Sequence, residues 1–215
     1  MKMRETVRAN PLLAIMRNVP DEILLDYAGA IVDGGVKFFE VALNSKGACE
    51  QIARLREHFG DTVKIGAGTA ITIERAKAAI DAGAEFLLAP STNEDVLIWC
   101  EERGIPMLPG ALTPTDVSVC VRHGFYTIKL FPAADMPMNY AKHLKGPFDD
   151  TEYVAIGGVD QNNMADFIKH GCIGVGLGSN ILPKDAVAAK DWKRASEYVA
   201  ELMKIINEVR NGVKV

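Results

Sequence analysis

Apolar residues along this chain come in eight short runs separated by amphipathic stretches. The runs are LLAIMR (12–17), KFFEVAL (37–43), VKIGAGT (63–69), FLLAPS (86–91), PMLPGA (106–111), YTIKLFPA (126–133), YVAIGGV (153–159) and IGVGLGSN (173–180). Most of the amphipathic stretches close on a glycine, at positions 35, 60, 83, 104, 124, 146 and 171. Intervals of about 20 to 25 residues suit one helix of about three turns, one strand of about five residues and two short loops. A glycine just past each helix predicts a left-handed turn that stops it.

Strands that alternate with helices imply a parallel sheet, because each parallel return needs a crossover. Eight such units in 215 residues predict an α/β fold, a compact (β/α)8 barrel of the TIM type, as one domain over residues 1–215. A doubly wound open sheet is the competing arrangement, since closure leaves no mark in a single sequence. No low-complexity segment or charge block interrupts the pattern. The stretch 186–215 reads as one final amphipathic helix, with Trp192, Tyr198, Leu202 and Ile205 as packing residues.

Composition narrows the function. With 48% hydrophobic and 24% charged residues, the chain is neither disordered nor collagen-like nor a coiled coil. A formal charge of −4 supplies no field for nucleic acid or anionic lipid, and no apolar run is long enough to span a membrane. The N-terminal apolar stretch carries Arg17 and lacks a small-residue cleavage site, so it does not read as a signal peptide. A cytoplasmic protein with no nucleic-acid or membrane partner is expected.

Cys49, Cys100, Cys120 and Cys172 are too widely spaced for a metal site and read as reduced, mostly buried thiols. His123 and His170 directly precede helix-ending glycines and His58 lies two before one, while His143 sits in a polar helical segment. In a barrel the first three fall at the bottom, whereas chemistry occupies the C-terminal ends of the strands. A metal-dependent enzyme is therefore disfavoured, and no cofactor is expected.

Two charges stand inside apolar strands. In TIKLF, Ile128 and Leu130 alternate with Lys129, so period-two geometry turns Lys129 into the barrel interior beside Thr127 and Phe131. Desolvation there lowers an ammonium pKa and makes a neutral amine accessible, which is what a Schiff-base nucleophile requires. The alternative is a lysine neutralised by a structural partner. Glu40 projects inward from KFFEVAL by the same alternation, as a proton-transfer group or as a salt-bridge partner of Lys129 or Arg17. Arg17 closes the first run, where it either grips a carboxylate or stands as an exposed loop arginine. Glycine-rich ends of the last two strands, Gly157-Gly158 and Gly178-Ser179 followed by helix starts, suit a phosphate cradle, although glycines also relieve crowding in small barrels. GAGT (66–69) lacks the third glycine of a dinucleotide fingerprint and reads as close backbone approach to substrate.

The ordered segments LLAIMR, EVALNS, GAGTA, APS, PG, TIKLFPA, GGV and GLGS span nearly the whole chain. Together they resemble the 2-keto-3-deoxy-6-phosphogluconate aldolase family, whose relatives act on the galactonate epimer or on 4-hydroxy-2-oxoglutarate. The resemblance implies a metal-free class I lyase of the Entner–Doudoroff type on a (β/α)8 barrel, usually a homotrimer, acting on a phosphorylated keto acid. It makes Lys129 the Schiff-base nucleophile and Glu40 the proton shuttle. Thr69, Pro90 and Phe131 then surround the pyruvyl part, and Gly157, Gly158, Gly178 and Ser179 cradle phosphate. Gluconate-specific members commonly carry Arg-Thr where this chain has Asn44-Ser45, which leaves Arg17 to bind the pyruvyl carboxylate. Two other readings remain at this point: a phosphosugar epimerase or isomerase using Glu40 as base, and a non-catalytic sugar-phosphate-binding protein.

Overall fold

Each apolar run becomes parallel β-structure: β1 Leu12–Met16, β2 Phe38–Ala42, β3 Lys64–Gly68, β4 Leu87–Leu88, β5 Met107–Leu108, β6 Gly110–Ala111, β7 Thr127–Leu130, β8 Glu152–Ile156 and β9 Gly174–Leu177. The fifth run is interrupted at Pro109, which has no N–H to give to a ladder, so nine strand segments stand where the sequence shows eight runs. Hydrogen bonding follows the order β5-β4-β3-β2-β1-β9-β8-β7-β6. Because β5 and β6 are halves of one strand, the ring closes there, and the Pro109 carbonyl accepts from the Lys129 N–H at 2.9 Å. The fold is a barrel, and the open-sheet alternative falls away. The computed structural model describes residues 2–212. Residue 1 and residues 213–215, which the readings of one domain and of a last helix reach, lie outside the described residues.

The helices are α1 Met3–Ala9, α2 Leu24–Asp33, α3 Ala48–Phe59, α4 Ile73–Asp81, α5 Glu94–Arg103, α6 Pro114–Arg122, α7 Tyr140–Lys145, α8 Met164–Lys169, α9 Lys184–Ala189 and α10 Trp192–Arg210. Six of the helix-ending glycines, at 35, 60, 83, 104, 124 and 171, have φ between +55° and +100°, the left-handed turn that their positions predict. Gly146 does not: at φ −54° it stays right-handed, because the helical turn continues beyond it and the Phe148 N–H reaches the Leu144 carbonyl. The C-terminal segment is two helices rather than one. Lys190 adopts a left-handed conformation at φ +53° between α9 and α10, and the Asp191 side chain caps α10 by accepting from the Arg194 N–H.

Strand alternation divides the core. Phe39, Val41, Ile128 and Leu130 face the helices. Leu13, Ile15, Phe38, Phe86, Leu88, Leu108, Val154 and Ile156 fill the barrel, with the Phe38 and Phe86 rings stacked at 4.7 Å. Helix α1, absent from the sequence pattern, places Met3 and Val7 in this interior cluster. Arg8 fastens the helix to buried Glu152 at 3.0 Å. On the outside, α2 packs on α10 so closely that a Cβ on Gly34 would lie 2.4 Å from the Val199 Cβ.

His123 caps the end of α6 and faces α5, with Nδ1 2.8 Å from Glu101 Oε2 and Nε2 3.1 Å from Glu94 Oε1. Arg122 also approaches Glu94, at 3.4 Å. Hydrogen bonds to Glu101 and Glu94 raise the His123 pKa above its ordinary 6.5, so the folded state binds a proton more tightly than the unfolded chain. Its stabilising contribution is complete below the unfolded pKa and is lost as pH rises through the folded one. The Tm difference between the parent and His123→Gln is therefore expected to be larger at about pH 5.5 than at about pH 9. An equal difference at both pH values would contradict this account.

Candidate active site

Lys129 lies mid-way along β7 and Glu40 at the middle of β2, each exposed by only a few per cent (4% and 1%). Their neighbours in the sheet explain how two charged side chains fit inside the ring. Gly110 pairs with Lys129 on β6, leaving no side chain beside it. Gly68 stands two residues beyond Glu40's register partner Gly66. A Cβ on Gly68 would come within 1.5 Å of Glu40 Oε1, so the carboxylate occupies the volume that any other residue there would fill. Gly66 does the same for the Phe86 ring, with a would-be Cβ at 2.4 Å. The GAGT glycines thus admit neighbouring side chains, a different use from the substrate approach read in the sequence.

Neither Glu40 nor Lys129 is neutralised by direct pairing. Among the described residues, no ion pair within 4.0 Å joins Glu40 to Lys129 or Arg17, so the salt-bridge alternative does not hold. Glu40 Oε2 is buried with no hydrogen-bond partner. Burial pushes the Glu40 pKa up, with the charges of Lys129 and Arg17 pulling against it. Burial pushes the Lys129 pKa down, opposed by Glu40 and assisted by Arg17. Both shifts favour the uncharged forms, an amine with a free lone pair beside a carboxyl group able to give and take a proton. The Phe131 ring, two residues along the same face, lies 5.0 Å from Lys129 Nζ and covers one side of the amine.

All ten residues singled out in the sequence line one cavity of about 490 Å³ at the C-terminal mouth of the barrel: Arg17, Glu40, Thr69, Pro90, Lys129, Phe131, Gly157, Gly158, Gly178 and Ser179. Arg17 is exposed at the end of β1 yet borders the cavity. Thr69 has φ +62°, a left-handed conformation that a β-branched residue adopts at a cost of about 1–3 kcal/mol. The Ala70 N–H bond to the Leu88 carbonyl and the Ile71 N–H bond to the Thr69 carbonyl hold that turn. Pro90 follows β4, its backbone against Gly110.

The glycine-rich wall is built from loops. Gly157 and Gly158 have φ +93° and +70°, and Cβ atoms there would meet the Phe131 ring at 2.9 Å and the Ala134 Cβ at 2.6 Å. A Cβ on Gly178 would meet nothing within 4 Å. Among the described residues, no protein group accepts from the backbone N–H of Gly158, Gly178 or Ser179. These free donors suit an anion. Helix starts do not adjoin them, contrary to the sequence reading: α8 begins only at Met164 and α9 at Lys184.

Sequence reasoning missed Asn18, Tyr27 and Asn180, which also border the cavity. Asn18 adopts φ +53°, and its N–H donates to Ser45 Oγ at 2.9 Å, so buried Ser45 braces the loop after β1 while Asn44 points away, exposed. No signal of spacing marks Tyr27, which arrives from α2. Among the described residues no group of three or more His, Cys, Asp and Glu side chains is placed to hold a metal, and no helix is long and apolar enough to cross a membrane.

A closed barrel whose mouth pocket holds a desolvated lysine and a glutamate has the groups that imine chemistry needs, and the match to an aldolase family makes the class a carbon–carbon lyase. The family model described as KDPG and KHG aldolase matches residues 3–198. The chain belongs to that aldolase family. It is 31% identical to the 2-dehydro-3-deoxy-phosphogluconate aldolase of Treponema pallidum, over 94% of this chain and 95% of that one. It is 30% identical to the 2-dehydro-3-deoxy-6-phosphogalactonate aldolase of Escherichia coli K12, over 92% of this chain and 95% of that one. Among solved structures, KDPG aldolase from Legionella pneumophila, captured at low pH with pyruvate as a covalent carbinolamine intermediate, superposes with a TM-score of 0.86 at 27% identity, covering 94% of this chain and 98% of that one.

The dependence of Glu40 on Gly68 is testable. Gly68→Ala is expected to expel the carboxylate from its slot and lower kcat by about 100-fold or more, the scale of losing a general acid–base group. A Gly68→Ala protein with parental kcat would contradict the placement of Glu40.

Proposed function

We propose that this chain is a class I aldolase that cleaves a 2-keto-3-deoxy-6-phospho sugar acid, of the gluconate or galactonate type, to pyruvate and glyceraldehyde 3-phosphate. The observation that carries the reading is the unpaired burial of Lys129 and Glu40 in one pocket. Membership of the aldolase family supports it. The neutral Lys129 amine attacks the C2 carbonyl, and Glu40 protonates the departing oxygen, so a carbinolamine loses water and becomes an iminium. Glu40 then removes the proton of the C4 hydroxyl. The C3–C4 bonding electrons move into the iminium, the C4 oxygen becomes the aldehyde of glyceraldehyde 3-phosphate, and an enamine of pyruvate remains on Lys129. Protonation at C3 and addition of water release pyruvate and restore the amine.

In this reading Arg17 holds the pyruvyl carboxylate, since its guanidinium makes no ion pair within 4.0 Å among the described residues. Thr69, Pro90 and Phe131 enclose the pyruvyl carbons. Backbone donors at Gly157, Gly158, Gly178 and Ser179, with the Ser179 hydroxyl, receive the phosphoryl group. Residues 1–215 act as one barrel domain, in the cytoplasm, as a homotrimer, with no metal or cofactor. Relatives named for the gluconate and the galactonate substrates stand at 31% and 30% identity, so both epimers belong to the proposal.

Lys129→Ala is expected to remove turnover, by about 1,000-fold or more, while leaving Tm at or above the parent's, because the substitution deletes a desolvated amine. Glu40→Gln is expected to lower kcat by about 100- to 10,000-fold, the range for a lost acid–base group. Pyruvate release measured with a coupled dehydrogenase reads both. Near-parental cleavage by Lys129→Ala would sink the covalent mechanism, and an unchanged Glu40→Gln rate would remove Glu40 from it.

A further inference from the structure

The reaction proposed above gives no role to Asn18, Tyr27 or Asn180, which also border the pocket. Tyr27, in the first turn of α2, borders the cavity with its ring half-buried against the core. Its hydroxyl has no hydrogen-bond partner among the described residues. Nor is the hydroxyl sealed away, because Glu40 Oε2 is the only side-chain polar atom there that is both fully buried and unpartnered. A phenol that is unpaired and accessible at the cavity is a donor available to a ligand. Burial of the ring pushes its pKa up to about 12, which keeps the proton on the oxygen at neutral pH.

The packing of α2 shows which side of the barrel Tyr27 stands on. Tyr27 and Gly34, the residue that caps the end of α2, are seven apart and so lie on the same side of the helix. Gly34 abuts Val199 of α10, so that face looks toward the β9–α10 side of the barrel. There the loop after β9 carries Gly178, Ser179 and Asn180. Tyr198 of α10 steadies the loop, its hydroxyl donating to Gln161 Oε1 at 2.5 Å and lying 3.5 Å from the Asn180 carbonyl. Tyr27 and this loop border the same cavity; the hydroxyl of Tyr198 is committed to protein acceptors, and that of Tyr27 has none among the described residues.

We propose that the Tyr27 hydroxyl donates a hydrogen bond to the phosphoryl group of the substrate, beside the free backbone N–H groups of Gly178 and Ser179, and so sets the preference for phosphorylated over unphosphorylated aldehydes. The inference rests on the aldolase reading of the site. It adds a side-chain donor from the first helix after β1 to a cradle otherwise made of backbone and one serine. A phosphoryl group brought to this wall meets donors from two sides, the β9 loop and α2. An aldehyde without phosphate offers the Tyr27 hydroxyl only a neutral hydroxyl oxygen, a weaker acceptor than a charged phosphoryl oxygen and one with less reach.

Tyr27→Phe removes the hydroxyl and keeps the ring that packs on the core. In the direction of addition, pyruvate is combined with either glyceraldehyde 3-phosphate or glyceraldehyde, and kcat/KM is measured for each aldehyde. The ratio of the two is expected to fall about tenfold in Tyr27→Phe, the scale of one hydrogen bond to a charged group, mainly through KM for the phosphorylated aldehyde. Inorganic phosphate, as a competitor of glyceraldehyde 3-phosphate, is expected to inhibit the variant more weakly by a similar factor. An unchanged ratio overturns the proposal. So does an equal loss with both aldehydes accompanied by a raised KM for pyruvate, which would put the hydroxyl at the carboxylate end beside Arg17. A parent protein that joins pyruvate to neither aldehyde would instead overturn the reading of the site, a result distinct from an unchanged ratio.

Discussion

An amine and a carboxyl group are held out of water in the middle of a parallel barrel without touching each other. Burying either charge costs several kcal/mol, and a close ion pair would recover part of that cost while fixing both groups in their charged forms. Here burial acts on both with little direct pairing, so Glu40 is driven toward the acid and Lys129 toward the free amine. The same desolvation that makes the pair a burden on the fold makes it chemically competent. An exposed lysine would remain protonated, and a salt-bridged one would have no lone pair to offer.

Much of the surrounding architecture accommodates that pair. Glycines stand where a side chain would collide with it or its walls: Gly68 against Glu40, Gly110 against the Pro90 backbone and Gly157 against Phe131. The left-handed Thr69 departs from the extended path at the mouth of β3, at a position bordering the pocket. Below the pair the interior is closed by stacked Phe38 and Phe86 and by Met3 and Val7 of α1. Polarity is concentrated at the mouth, where Arg17, the glycine loops and Tyr27 border the cavity. A long, bipolar ligand with a carbonyl near Lys129 and an anion near the glycine loops fits this gradient.

The sequence carried the strand count, the parallel order and the inward direction of Lys129 and Glu40, because period-two alternation is a local property that a closed barrel preserves. The ten candidate residues lie together because chemistry at strand C-termini follows from the same topology. Other features depended on long-range contacts with no local sign. Pro109 splits a strand that pattern alone joins into one. Helix α1 was hidden because its two interior residues, Met3 and Val7, make too short a stripe to stand out. Gly146 resembles the other helix stops in sequence, yet its φ is set by the turn through Phe148. Lys190 takes a left-handed conformation without being glycine, so the break between α9 and α10 had no usual marker. Tyr27 reaches the pocket only because α2 turns that face toward α10, a packing fact that no spacing encodes.

In the proposed reaction Lys129 is the amine that bonds covalently to a keto acid. Its most direct test is peptide mass mapping after incubation of the folded protein with pyruvate and borohydride, which reduces an imine to a stable secondary amine. One reduced pyruvyl adduct per chain is expected, on the peptide that carries Lys129. A folded protein with no adduct, or with the adduct on another lysine, would contradict it.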